Sequence, residues 1–123
     1  MKYLKDKKII LYKVEQRIIN NEGFVNRVLF KPIHEGRLWV YVRQLDASEI
    51  INSAALKLSE EMLFVINWRN DINTKVCFLC YKDILYDITR VDTFEGYKED
   101  LKLYAKRIIN QPKPEDFLEY SNE

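Results

Sequence analysis

A mostly-β fold, a small antiparallel β-barrel or sandwich with one short helix or long ordered loop, is predicted by three features of the sequence. Apolar and polar residues alternate with a period of two through several runs, those runs are rich in β-branched and aromatic residues, and the later ones are joined by very short connections. A chain of 123 residues, 47% apolar and 32% charged, is large enough for one core and too hydrophobic for disorder. Residues 1–109 are therefore expected to form a single barrel-like domain, followed by a flexible acidic tail over residues 110–123.

Residues 7–14, rich in Ile and Leu, form the first strand, and the polar stretch that follows, through Asn20-Asn21-Glu22-Gly23, reads as a loop. Residues 24–30 make a second strand candidate, after which Pro32 and Glu35-Gly36 signal a turn. The run from Arg37 to Leu45 is a strand with Leu38, Val40 and Val42 on one face and Trp39, Tyr41 and Arg43 on the other. Asp46-Ala47-Ser48-Glu49 then fits a capping box opening a short helix, or an ordered loop. Residues 61–67 are apolar enough for a strand buried on both sides, and Asn70, Asp71 and Asn73 end it. Two strands, residues 75–81 and 84–91, meet at Lys82-Asp83 as a hairpin. A last strand over residues 100–109 turns Leu101, Leu103 and Ala105 inward, and two prolines then mark the tail.

Several function classes have no support. Lys and Arg number 20 against 19 acidic residues, so the basic excess that drives counterion release from nucleic acid is missing. No apolar run is long enough to cross a bilayer, and the basic start is followed by Ile9-Ile10-Leu11 rather than a signal-peptide core, so folding in a cytosol is expected. Cys77 and Cys80 have C-x-x-C spacing, but residues three apart on a strand point to opposite faces, and no second pair completes a metal site. No metal or other cofactor is expected. His34, the one histidine, reads as a surface residue beside Glu35, and no serine has a nucleophile-elbow context. Catalysis is not expected, although Asp71, Asp87, Asp92 and Glu95 are carboxylates that a hydrolase could in principle pair. The aromatic content admits an alternative, a small barrel that stacks single-stranded nucleic acid, but such a platform normally comes with a basic groove.

Several segments, in order, resemble the head–tail joining, or head-closure, proteins of long-tailed bacteriophages and their prophage relatives. Leu38-Trp39-Val40-Tyr41-Val42 leads into Asp46-Ala47-Ser48-Glu49 and Ala54-Ala55, then Phe64-Val65-Ile66-Asn67-Trp68-Arg69-Asn70-Asp71-Ile72 is similar to that family's apolar strand ending in arginine. Val76-Cys77-Phe78 with Leu85-Tyr86-Asp87-Ile88-Thr89-Arg90-Val91 is similar to its terminal hairpin, and Leu101-Lys102-Leu103-Tyr104-Ala105 to its closing strand. The likeness spans residues 9–109. It departs where the glycine-rich turn before the tryptophan is reduced to Glu35-Gly36, and where Val40 replaces the usual alanine.

The resemblance implies a homo-oligomeric ring, monomeric when isolated, that lies beneath the portal and adaptor, closes the DNA-filled head and receives the tail. DNA would pass through without sequence-specific binding; the site of assembly would be the bacterial host's cytoplasm, and the final place the virion neck. It also implies that the connection over residues 46–61 closes the channel. That segment is long for a compact domain, carries small side chains (Ser48, Ser53, Ser59), and sets Asp46, Glu49, Glu60 and Glu61 against Lys57, a negative balance that repels phosphates. Trp39 is a candidate interface residue, and Arg69 is expected to act through a carboxylate, Asp71 or Asp87. Phe117, Leu118 and Tyr120 are expected to anchor the tail on a neighbouring subunit, the tail being disordered until then.

Overall fold

The computed structural model describes residues 3–45, 61–72, 76–93 and 99–121. Among these, seven strands follow one another: β1 (Lys7–Ile19), β2 (Val25–Pro32), β3 (Leu38–Gln44), β4 (Glu61–Asn67), β5 (Phe78–Tyr81), β6 (Ile84–Asp92) and β7 (Asp100–Arg107), with a 3-10 turn at Pro114–Asp116. Every strand pairing is antiparallel, in the order β2-β1-β3-β4-β7-β6-β5, and β5 returns to pair with β1. Six strands thus close a ring, which removes the open edges that invite aggregation, while β2 lies outside it. The expected mostly-β barrel is present. The helix or ordered loop read from Asp46-Ala47-Ser48-Glu49 lies outside the described residues.

The barrel interior follows from the period of two. Ile9, Leu11, Val40, Phe64, Ile66, Leu79, Leu101, Leu103 and Ala105 are all nearly inaccessible and pack into one cluster. β4 is buried on both faces because its outward residues, Leu63 and Val65, are covered in turn by Tyr3, Tyr41 and Tyr104. Phe64 sits edge-on to Tyr81 and Tyr86, with ring centroids 5.6 and 5.3 Å away, so truncating it would cost about 3–5 kcal/mol.

β1 is longer than the sequence predicts. Residues 15–19, read as loop for their polarity, continue the strand because β2 supplies a ladder as far as Ile19↔Val25, with extra residues at Glu15 on β1 and Asn26 on β2. Glu15, Gln16 and Arg17 are polar because this part of the hairpin leaves the barrel and is solvated, which alternation alone cannot reveal. The turn at Asn20 is held by its side-chain Oδ1, which accepts from the Glu22 and Phe24 N–H groups at 3.0 Å each, and by Gly23 at φ 87°.

β1 changes partner midway, from β3 (Ile9↔Leu38) to β2 (Tyr12↔Pro32). Leu11, fully buried at that junction, would lose its backbone partners. His34 Nε2 accepts from the Leu11 N–H at 3.0 Å, and the Ile33 N–H donates to the Leu11 carbonyl at 3.1 Å. His34 is therefore a buried structural residue, not the surface histidine its polar neighbours suggest.

Candidate assembly surfaces

Three surfaces depart from a plain solvated barrel: the projecting β1–β2 hairpin, the strap formed by the chain's end, and the region around Trp39 and Arg69. The hairpin beyond Val14 and Val28, here called the arm, ends in apolar side chains that none of the described residues covers. Ile19 is 61%, Phe24 68% and Val25 54% exposed. A single exposed apolar residue is ordinary, but three together at the tip of a hairpin make a candidate contact surface.

At the arm's base its apolar face is partly covered. Tyr12 and Phe30, with Val14 and Val28, pack against Phe78, Ile108, Leu85 and Phe117 in a second core on the outside of the barrel. Phe117 stands 5.0 Å from the Tyr12 ring and stacks on Phe30 at 5.6 Å. Between the arm, the end of β7 and the strap remains a hollow of about 680 Å³ with Val14, Val28, Phe30, Phe78 and Ile108 on its floor.

The strap comprises residues 110–121, expected from their prolines to hang free. Its first anchor is Gln111, whose amide nitrogen donates to the Leu85 carbonyl at 3.0 Å while its oxygen accepts from the Leu85 N–H at 2.8 Å, standing in for a strand neighbour. Arg27 then pairs with Asp116 and donates to the Glu115 carbonyl at 3.0 Å. This guanidinium, aided by the Lys113 N–H at 3.2 Å, holds the Asp116 carboxyl below its usual range. The Leu118 N–H finally donates to the Phe30 carbonyl at 2.8 Å in a one-residue parallel bridge. The bridge cannot extend toward the barrel, because the next donor would be the absent N–H of Pro32. Prolines do bar regular pairing here, but a side-chain amide and an aromatic ring supply the anchoring. Phe117, expected on a neighbour, is engaged within its own chain, while Tyr120 remains 37% exposed.

Trp39 lies on the outer face of β3, 55% exposed, with Lys8 Nζ 4.5 Å from its ring centroid across the β1–β3 pair. Arg69, just past β4, forms a two-pronged pair with Asp71: Nε to Oδ1 at 2.9 Å and Nη2 to Oδ2 at 2.7 Å. The contact holds the Asp71 carboxyl below and the Arg69 guanidinium above their usual ranges. Asp87, the other carboxylate considered, faces outward on β6 in register with Phe78 and Lys106 and is not Arg69's partner.

Of the expected closure residues, Asp46, Ser48, Glu49, Ser53, Lys57, Ser59 and Glu60 lie outside the described residues. Glu61 opens β4 and is buried, with Oε1 3.2 Å from the Thr89 hydroxyl and Oε2 without a partner. Among the described residues no group of three His, Cys, Asp or Glu side chains could hold a metal ion. The arm, the Arg27–Asp116 pair and the Gln111 anchor were not read from the sequence. The arm left one trace, Ile19 and Phe24-Val25 flanking a polar turn, while the other two link residues far apart in the chain.

No protein-family model matches the sequence, and no curated protein does. Among solved structures, the fold is similar to the solution structure of protein SF1141 from Shigella flexneri 2a, a structural genomics target. The TM-score is 0.61 at 15% identity, covering 85% of this chain and 94% of that one. At that identity the likeness concerns the fold.

Proposed function

We propose that this chain is a structural subunit of a bacteriophage neck, one copy in a ring beneath the portal and adaptor that closes the DNA-filled head and receives the tail. The observation that carries the reading is the arm, a two-stranded projection with a bare apolar tip on a barrel whose ring is closed. A subunit built in this way makes its contacts through the projection rather than through the strands of the closed ring. The ordered motifs over residues 9–109 supply the class of assembly, and a net charge of +1 suits a ring through which DNA must slide, since a basic lumen would bind phosphates.

Two measurements test this. Electron microscopy of assembled particles should place the chain in the neck, and particles made without it should accumulate as heads unjoined to tails; a neck that forms without the chain refutes the reading. In a gel shift at low salt, the isolated chain should leave single-stranded DNA unbound, whereas tight binding with a steep salt slope would assign it to the nucleic-acid-binding barrels instead.

A further inference from the structure

We propose that neighbouring copies of this chain are joined by the arm, with Phe24 and the flanking Ile19 of one copy entering the hollow beside the next copy's arm. The inference rests on the assembly reading above and gives it a contact. Every copy carries both halves, an apolar tip without cover and an apolar-floored hollow without an occupant. The hollow, at about 680 Å³, lies in the range of roughly 300–1,000 Å³ that takes a compact ligand, room enough for an aromatic and a β-branched side chain. A copy does not fill its own hollow: Val25 stands in its wall, but Phe24 and Ile19 are not among the residues that line it. Nor does the strap fill it, since Phe117 is spent on Tyr12 and Phe30.

Charge points the same way. The turn at the tip bears Glu22, whose carboxylate has no ion-pair partner among the described residues, and the hollow's rim carries Arg17 and Lys113, likewise outside any ion pair among them. Glu115 and Asp116 also stand at that rim, but Asp116 is neutralised by Arg27. That leaves Arg17 and Lys113 against Glu115, so an incoming Glu22 meets an excess of one positive charge. The contact is heterologous, tip to base, so successive copies generate a ring when the rotation closes. One arm tip covers far less than the roughly 1,200 Å² of a standard interface, so the contact is weak between free subunits and becomes effective when a template holds them side by side.

The test uses exposed positions of the full chain. Phe24→Cys and Asn110→Cys are prepared separately, mixed at high concentration and oxidised mildly, with the unsubstituted chain as control for Cys77 and Cys80. The expected product is the mixed dimer joining tip to hollow, in about tenfold excess over either homodimer. In parallel, Arg17→Glu and Glu22→Arg should each weaken self-association in sedimentation equilibrium, and an equimolar mixture should recover it, because both mixed contacts, the tip of either variant on the rim of the other, set opposite charges together. Thermal melts of both variants establish that they fold. Tip-to-tip homodimers in excess, crosslinking no greater than in the control, or charge variants that associate like the parent would each overturn the proposal. The two readings fail separately. Particles that join heads to tails without this chain refute the neck assignment and leave the crosslink standing, whereas Phe24→Asp subunits that build normal necks refute the arm contact alone.

Discussion

At the scale of single residues, His34 shows how a polar side chain becomes structural. Its Nε2 accepts from a buried N–H, which places the ring proton on Nδ1, and burial foremost, with Arg69 nearby, pushes its pKa below the ordinary 6.5. The unfolded chain therefore takes up the proton first as pH falls. Stability from the neutral ring is complete above about pH 6.5 and declines as pH drops below that value toward the lowered folded pKa. In urea titrations, His34→Ala should cost about 1–3 kcal/mol at pH 7.5 by orphaning the Leu11 N–H, and His34→Gln, which keeps an acceptor, should flatten the loss between pH 7 and 5. Arg69 offers a contrast. Its pair with Asp71 is two-pronged but partly solvated, so Arg69→Lys should cost no more than about 1 kcal/mol, measured in the same way. Because the Asp71 pKa is lowered, that contribution is present above about pH 3.8 and is lost as pH falls through the folded value. The sequence suggested a carboxylate partner for Arg69 and named two; only the turn after β4, which brings Asp71 back beside it, distinguishes them.

Among the elements, legibility followed burial. β4 and β7 were read almost to the residue because their neighbours cover them and their patterns are dense in apolar side chains, and Lys82-Asp83 marked its hairpin. Both residues of that turn are left-handed, at φ 51° and 63°, as a two-residue turn between twisted strands requires. Neither is glycine, so some strain persists, and Asp83→Gly should raise stability by about 0.5–1 kcal/mol in thermal or urea unfolding. In the arm, β2 matches the strand read over residues 24–30, but the β1 half was misread beyond Val14 because it is paired to β2 and otherwise solvated, so polarity there reports exposure and not irregularity. The strap was misread for a related reason. Its fixing depends on Gln111 meeting Leu85 and on Phe117 meeting Tyr12, contacts set by the closed barrel rather than by any local pattern. Phe117→Ala should therefore loosen residues 112–121, seen as faster amide exchange and earlier proteolytic clipping, while amides of β4 and β7 keep their protection.

For the whole molecule, closure decides how it can associate. Within the closed ring no strand edge is free, so strand-to-strand association is confined to the arm, where β2 pairs only with β1, and most of the large apolar side chains among the described residues are committed to the interior and to the two outer clusters. Among the described residues, what remains exposed apart from the arm tip is Leu4, Trp39, Val91, Ile109 and Tyr120, far apart in the sequence and of a kind common on monomers. Obligate subunits usually bury 2,000 Å² or more between them, with an apolar centre, and no continuous patch of that character is present among the described residues. The isolated chain should accordingly be a monomer at micromolar concentration, with association emerging only as concentration rises by orders of magnitude, and the net charge of +1 leaves long-range repulsion too small to be the reason. Light scattering coupled to size exclusion measures this directly. A mass near 14.8 kDa is the expected result, and a stable ring formed by the chain alone would mean that the interfaces lie on surfaces other than the arm. Raising salt should discriminate further: a contact seated by Phe24 in an apolar hollow survives screening, while one held only by Glu22 against Arg17 and Lys113 fades as the Debye length shrinks from about 10 Å at 0.1 M to about 3 Å at 1 M.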